Sequence, residues 1–223
     1  FGEDYLRMLR AVRFAARLNF EIDPSTFAAI RARADNIQCV SAERMRNELT
    51  RILTEGNAGS GMQLLLDCGL LQVVLPEVAA MDGVAQPPQF HPEGDVWTHV
   101  KMMLDELQGV SPVLAWGTLL HDVGKPPTFA LIDRIRFNGH DALGAKMAAQ
   151  ICQRLHMSNE DTVGICELTA QHMRIGRAWE MRPSKLKRLL RLPIFPDLLE
   201  LHRLDCLASH KQLDIYEFCK ENL

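Results

Sequence analysis

The chain has 223 residues, 47% of them hydrophobic, which is enough apolar sequence to bury a core of good size in one or two domains. Its formal net charge of −3 excludes a surface dominated by nucleic-acid binding, so any RNA contact must be local. No stretch approaches the ~18 consecutive apolar residues of a membrane-spanning helix, and the six cysteines form no Cys-x-x-Cys pair. We therefore expect a cytoplasmic protein with reduced cysteines and no membrane contact.

The first predicted helix covers residues 3–17 and carries a stripe of positive charge. Its arginines recur at spacings of three, three and four residues: Arg7, Arg10, Arg13 and Arg17. Such a stripe can face phosphate, and Asp4 and Arg7 can together present an acceptor and a fork of donors to the edge of a nucleobase. A solvated or intrahelically paired stripe is the alternative explanation of the same spacing.

Three more helices are predicted before residue 82. Pro24 starts the second, and Ser41 is the expected N-cap of the third, in which Arg44 and Glu48 are spaced to form an i,i+4 ion pair. This pair either supports the first helix by bracing the third or is a simple surface contact. We expect residues 59–61, which include two glycines, to separate the third helix from the fourth.

Residues 82–92 contain three prolines and cannot continue a helix, so they form the predicted boundary between two domains, residues 1–85 and 90–219. Only residues 128–137 are expected to pair as a small hairpin. The predicted fold class is therefore all-α. Apolar periodicity beyond the boundary predicts helices near residues 96–108, 112–122, 141–156, 159–173, 184–191 and 196–209.

The helix predicted at residues 184–191 is the best candidate for a local RNA contact. Its basic residues, with one that precedes it, include Arg182, Lys185, Lys187 and Arg188. RNA affinity that falls steeply with salt would indicate phosphate contacts by these residues. A solvated helix face explains the same charges equally well.

The adjacent residues His121 and Asp122, which end an apolar run, point to a metal centre. Imidazole suits first-row transition metals and carboxylate also accepts harder ions, so a mixed set holds a divalent cation and leaves positions open for water. His99 and Asp205 complete a set of four candidate ligands. Two further histidines, His140 and His172, are candidates for a second metal or for the substrate phosphate. Lys125 either contacts phosphate or is a solvated lysine at a helix end. The other histidines, namely His91, His156, His202 and His210, are expected to be hydrogen-bonded structural residues.

Residues 90–219, through these motifs, resemble an HD-superfamily phosphohydrolase domain. The resemblance implies that His99, His121, Asp122 and Asp205 bind a divalent metal, whether Mg²⁺, Mn²⁺, Fe²⁺ or Ni²⁺. It also implies that His140 and His172 extend the site in members with two metals. In the same comparison Lys125 matches a lysine on the phosphate side, beside the catalytic pair His121 and Asp122.

The first third of the chain resembles the neck of the tRNA nucleotidyltransferase and poly(A) polymerase family. Its Glu-Asp-x-x-Arg motif is matched by Glu3, Asp4 and Arg7, and a second motif, Glu-Arg-x-x-x-Glu, is matched by Glu43, Arg44 and Glu48. The resemblance implies that Asp4 and Arg7 read the incoming CTP or ATP, with Arg10 beside them. It assigns a supporting role to Glu3, Glu43, Arg44 and Glu48.

Members of that family carry a nucleotide-transferring head domain before the neck, and this chain has no counterpart of it. We therefore expect a fragment of a longer protein that adds CCA or poly(A) to tRNA or other RNA 3′ ends, and that cannot transfer nucleotides by itself. The second domain is expected to act as a metal-dependent phosphohydrolase or phosphodiesterase. The alternative is a metal-binding scaffold, without catalysis, that grips tRNA. Oligomeric state and the metal's identity are left open by the sequence.

Overall fold

The computed structural model describes residues 4–222. In the first half of the chain, every regular element in residues 4–81 is helical, as predicted. Helix α1 is Leu6–Leu18, and its apolar residues Leu9 and Val12 are fully buried while Arg7 and Arg10 on its other side are exposed. The remaining elements of this half are α2 (Pro24–Arg31), a 3₁₀ segment (Ala34–Cys39), α3 (Ala42–Thr54), α4 (Ala58–Asp67), α5 (Leu70–Val74) and α6 (Pro76–Ala79).

Local signals account for the start of α2. The side chain of Asp23 accepts hydrogen bonds from the backbone N–H groups of Ser25 and Thr26, and Pro24 occupies the first turn, where its missing N–H costs nothing. At α3 the predicted N-cap position, Ser41, is correct, but its side chain makes no capping hydrogen bond.

The expected break at residues 59–61 is wrong, because α4 runs through both glycines. The break falls earlier, at Gly56 and Asn57, which both have positive φ. Gly59 is needed for close packing: a Cβ there would lie 2.6 Å from the backbone oxygen of Lys101. Gly61 similarly faces Ile52 of α3 at 2.7 Å. These glycines therefore let helices approach one another and do not end one.

The second half is also helical, with a two-stranded hairpin where residues 128–137 predicted one. Strands β1 (Ala130–Leu131) and β2 (Ile135–Arg136) are antiparallel, with Ala130 opposite Arg136. Residues 82–92 contain no helix, as predicted, and the next helix begins at Val96. The helices of this half are α7 (Val96–Asp105), α8 (Pro112–Leu120), α9 (Lys125–Thr128), α10 (His140–Arg154), α11 (Asn159–Ile175), α12 (Pro183–Leu190), α13 (Phe195–Ala208) and α14 (Asp214–Glu221).

One hydrophobic core runs through both halves of the chain. In the second half α11 packs against α8, α10 and α13, and α7 packs against α4 of the first half. Two buried tryptophans join the halves by hydrogen bonds from their indole N–H groups, Trp97 to Gln63 and Trp116 to Thr50. Among residues 4–222 no helix is long and apolar enough to cross a membrane.

Candidate metal centre

His99, on α7, is fully buried and lies between two carboxylates. Its Nε2 is 3.1 Å from Oδ1 of Asp205, which α13 supplies, and its Nδ1 is 2.6 Å from Oε1 of Glu93. The helix that carries His99 is anchored at its start, because Asp95 accepts a hydrogen bond from the backbone N–H of Thr98. The two most distant predicted ligands in sequence therefore meet across α7 and α13.

His121 and Asp122 lie in the tight turn that follows α8. The carbonyl of Thr118 accepts a hydrogen bond from Nδ1 of His121, and Nε2 of the same ring is 3.2 Å from Oδ2 of Asp122. Lys125 lies 2.7 Å from that same carboxylate oxygen and donates to Gln86 at 2.6 Å. All of these side chains are buried or nearly so.

His140 and His172 approach Asp122 from its other side. His140 is the first residue of α10 and His172 lies near the end of α11, and their Nε2 atoms are 3.2 Å apart. Their Nε2 atoms are 3.5 and 3.8 Å, respectively, from Oδ1 of Asp122. Potential ligand atoms thus form two groups that share Asp122. The first group is His99, His121 and Asp122, and the second is Asp122, His140 and His172.

The hydrogen bonds of the rings show that these residues fit a cation. Nδ1 of His140 faces the carbonyl of Phe137 at 2.8 Å, and Nδ1 of His172 faces the carbonyl of Thr169 at 2.7 Å. Because a carbonyl oxygen only accepts, both Nδ1 atoms carry a proton, and each ring turns its Nε2 toward Asp122, the orientation of a metal ligand. The buried Nε2 of His99 lies 3.1 Å from Oδ1 of Asp205 but outside hydrogen-bonding geometry. A cluster of acceptors facing one another needs a positive charge, which a divalent metal would supply.

Charge and burial shift the pKa values of the cluster in different directions. Burial lowers the pKa of His99, but the carboxylates of Asp205 and Glu93 outweigh it and raise that pKa to about 9. A proton therefore occupies the place that a cation would take. Burial lowers the pKa of His172 to about 4, which keeps its ring neutral as a ligand. Burial alone would raise the pKa of Asp122, but His121 and Lys125 hold it well below its ordinary value.

Two residues of the centre were not predicted as site residues. The side chain of Glu93 is 4% exposed, and its Oε1 accepts from both His99 and His91, the latter at 2.9 Å. His91 lines the cavity in front of the cluster. Neither residue belongs to a recognisable spacing pattern. The only available signal was a carboxylate six residues before His99 in a turn-rich segment.

A cavity of about 580 Å³ opens in front of the cluster. Its volume is in the range of sites for small organic ligands. Asp122, His140, His172 and Asp205 line it together with Lys125. Arg134 and Arg177 also face it, so anionic groups would meet positive charge there, whereas Arg136, which lines it too, is paired with Asp133 at 2.8 Å.

Most of the arginine stripe of α1 makes internal ion pairs. Arg13 is buried, with its Nε 3.0 Å from Oε2 of Glu48, and Arg10 is 3.1 Å from the other oxygen of that carboxylate. Arg17 lies 3.3 Å from Glu55. The prediction that Arg13 faces RNA therefore differs from the structure, where α3 supplies the acids that neutralise it.

The second neck motif pairs with the first, not within itself. Arg44 lies 2.8 Å from Oδ2 of Asp4, so the predicted i,i+4 pair of Arg44 with Glu48 is wrong. The other oxygen of Asp4 accepts from the backbone N–H of Leu6 at the start of α1. Glu43 instead lies 2.7 Å from His156 of the second half. Arg7 is exposed on α1, and Glu3 lies outside the described residues.

The basic residues around α12 divide into two pairs. Lys185 and Arg188 line a shallow cavity with Arg174 of α11. Arg182 and Lys187 are exposed but line none of the larger cavities of the described chain.

Comparisons with known proteins match both halves of the chain. Residues 19–82 match the family described as the probable RNA and SrmB-binding site of polymerase A, and residues 95–193 match the HD domain. A multifunctional CCA protein of Nitrosospira multiformis is 36% identical over 197 residues, which are 85% of this chain and 47% of that protein. Another, of Tolumonas auensis, is 35% identical over 219 residues, which are 94% of this chain and 53% of that protein.

The chain belongs to the tRNA nucleotidyltransferase and poly(A) polymerase family. It carries an HD domain, as the His-Asp pair predicted. The chain spans about half the length of the curated relatives that it matches. A multifunctional CCA protein of Chromobacterium violaceum is 37% identical over 196 residues, which are 86% of this chain and 48% of that protein.

Proposed function

We propose that the HD centre is a metal-dependent phosphohydrolase that acts on phosphoesters at RNA ends or in nucleotides. The observation that carries this proposal is the convergence of candidate His and Asp ligands from four separate segments on one open cavity, which is lined by His121, Asp122, His140, His172 and Asp205. A divalent cation bound there would activate a water molecule and offset charge on a phosphoryl oxygen. The identity of the metal, among Mg²⁺, Mn²⁺, Fe²⁺ and Ni²⁺, is a matter for measurement.

The protein's own residues have distinct tasks in this proposal. Asp122 belongs to both ligand groups and fixes their positions relative to each other. Lys125 uses two of its three N–H donors on Asp122 and Gln86, and the third is left for a substrate phosphate in the cavity that it lines. Arg177 at the opening would receive a second anionic group of the substrate.

The test is hydrolysis of an RNA that ends in a 2′,3′-cyclic phosphate, with Mg²⁺, Mn²⁺ or Ni²⁺ added to the purified chain. We expect turnover that requires metal and is lost in Asp122→Asn, a change that keeps the side-chain volume. Asp35→Asn, an exposed site on the 3₁₀ segment, is the matched control and should leave turnover unchanged. No turnover with any of these three metals or with Fe²⁺ added anaerobically, on protein shown by circular dichroism to be folded, would reject the proposal.

The alternative function is a scaffold whose metal centre stabilises the fold and whose surface grips tRNA. The continuous core and the hydrogen bond between Trp116 and Thr50 favour it, because they tie the HD half firmly to the neck. The scaffold alternative predicts that Asp122→Asn keeps RNA affinity while no hydrolysis is seen in either protein. Loss of hydrolysis in the variant alone would reject it.

We also propose that residues 1–85 form a neck that binds nucleotide and RNA, that residues 90–219 form the HD domain, and that the protein works in the cytoplasm on tRNA or other RNA 3′ ends. In this proposal Asp4, Arg7 and Arg10 select CTP or ATP for CCA addition or polyadenylation. Its support is the family match together with the ion pair that fixes Asp4 against Arg44.

The nucleotide-reading role can be tested in the protein expressed from the complete reading frame that encodes this chain. We expect Arg7→Gln to weaken discrimination between CTP and ATP during addition to tRNA that lacks its 3′ end. Arg31→Gln, an exposed neck position, is the control. Unchanged discrimination in Arg7→Gln would reject the role of Arg7 in reading the base.

A further inference from the structure

We propose that the substrate of the HD centre is the end of a single RNA strand, held by a basic groove that runs from the metal cavity to α12. This inference rests on the proposed phosphohydrolase function and specifies its substrate class. The groove residues are Arg177, Arg174, Lys185 and Arg188.

Three cavities adjoin one another along this path, because neighbouring cavities share lining residues. The metal cavity and the next cavity are both lined by Phe137, His140, Met173 and Arg177. That second cavity reaches Arg174, which also lines the third cavity beside α12. A chain of phosphates that starts at the metal cluster can therefore continue along the surface without leaving the groove.

The charges in this groove are available to a ligand, unlike those of the neck. Within residues 4–222 no carboxylate oxygen lies within 4.0 Å of the charged nitrogens of Arg174, Arg177, Lys185 or Arg188. All four are exposed. One acid, Asp141, lines the middle cavity, so the groove has a clear excess of positive charge. The neck arginines, by contrast, are largely neutralised by Glu48 and Glu55.

The groove also offers surfaces for bases. Phe137 lines the junction of the first two cavities, with the amine of Lys125 5.4 Å from its ring centre. Met173, 51% exposed, lies at the same junction. Binding sites for single strands combine a positive groove along the backbone with side chains on which bases stack. A free nucleotide would use only the first cavity, so the length of the groove favours a strand.

The first test is the binding of a fluorescein-labelled single-stranded RNA, measured by anisotropy without added metal. At about 0.7 counterions released per neutralised phosphate, five contacts, made by the four groove residues and Lys125, predict that affinity falls roughly 130-fold between about 50 and about 200 mM salt. With Arg174, Lys185 and Arg188 all changed to Gln, the contacts of Arg177 and Lys125 are left, and the same salt change should lower affinity roughly sevenfold. A variant of equal charge change, Arg31→Gln with Lys146→Gln and Lys220→Gln, should retain the steep salt dependence.

Equal salt dependence in the groove variant and the wild type would overturn the inference. Tighter binding of an acidic peptide than of RNA would also overturn it. Because this assay needs no turnover, it gives an answer even if the centre does not hydrolyse phosphoesters.

The second test separates the inference from the function on which it rests. We expect the ratio of kcat/KM for a cyclic-phosphate-ended RNA strand to that for a 2′,3′-cyclic mononucleotide to fall in the groove variant and to stay unchanged in the charge-matched control. A mononucleotide hydrolysed as well as the strand would reject the groove and leave the phosphohydrolase intact. Hydrolysis of neither substrate would reject the phosphohydrolase, while the anisotropy result would still decide on the groove.

Discussion

Replacing Gly124 by Ala should displace the second ligand group of the metal centre. Gly124 lies in the turn that carries Asp122 and has φ −81° and ψ −8°, so alanine adopts this backbone without strain. Space is the obstacle, since a Cβ at Gly124 would lie 2.1 Å from the backbone oxygen of His140 and 2.8 Å from the backbone N of Gly144. Both obstructing atoms belong to the backbone of α10, so no side chain can turn aside.

The size of the effect follows from that contact. Reaching an ordinary separation of 3.4 Å requires the turn and the start of α10 to move apart by about 1.3 Å. His140 is the first residue of α10, and metal–ligand distances tolerate only about 0.2 Å, so His140 should cease to be a ligand beside Asp122. Overpacking of this kind costs about 1–3 kcal/mol, which for a chain of this size lowers Tm by roughly 2–12 °C.

Thermal unfolding followed by circular dichroism, and titration of the metal-free protein with Mn²⁺, measure the two consequences. Gly176→Ala is the matched control, because the nearest atom to its Cβ would be the oxygen of Met173 at 3.8 Å. We expect the control to keep the Tm and the metal stoichiometry of the wild type. A Gly124→Ala protein with unchanged Tm and stoichiometry would show that α10 and the turn are not packed as described here.

Three further predictions follow from the buried charges. Glu93→Gln removes the carboxylate that orients His99, so calorimetric titration should show metal affinity about 10–100-fold weaker, and wild-type affinity would contradict this. Because the pKa of His99 is raised to about 9, a metal that binds must displace the proton of His99. Metal affinity should therefore rise about tenfold per pH unit up to pH 9 and then level off. Calorimetry in buffers of different ionisation enthalpy should detect the released proton. Replacing Glu48 by Ala leaves the buried Arg13 with Glu55 as its remaining acid, at 3.4 Å, and should cost about 1.5–3 kcal/mol in urea unfolding. An unchanged free energy of unfolding would mean that Arg13 reaches solvent.

Local patterns were sufficient to predict most helices, because apolar periodicity and capping residues act within a few positions of one another. The start of α2 is an example, since Asp23 and Pro24 define it together. The glycines of α4 were misinterpreted for the opposite reason. Position 59 has no room for a side chain because Lys101 and Asp105 of α7, more than 40 positions away, pack against it. No local pattern contains that contact.

At the candidate site, too, local patterns could be predicted from the sequence and contacts between distant residues could not. The adjacency of His121 and Asp122 pointed to a metal from the sequence alone, and the structure brings His99 and Asp205 to the same place. The partners of the neck charges could not be found in this way. Arg44 lies four positions from Glu48 but bonds to Asp4, 40 positions away, because the packing of α1 on α3 decides which acid is nearest.

Positive charges in a sequence therefore become informative only when their acid partners are known. The stripe on α1 has the regular spacing expected of a phosphate-binding face, yet α3 places Glu48 and Glu55 against it and Arg13 becomes a core residue. The residues that line the groove near α12 have no comparable regularity, since Arg174 and Lys185 come from different helices. Among residues 4–222 no carboxylate oxygen lies within 4.0 Å of their charged nitrogens, and they lie on a path to the metal cavity. Pairing and position, and not spacing, therefore distinguish a cation that stabilises the fold from one that can bind a phosphate.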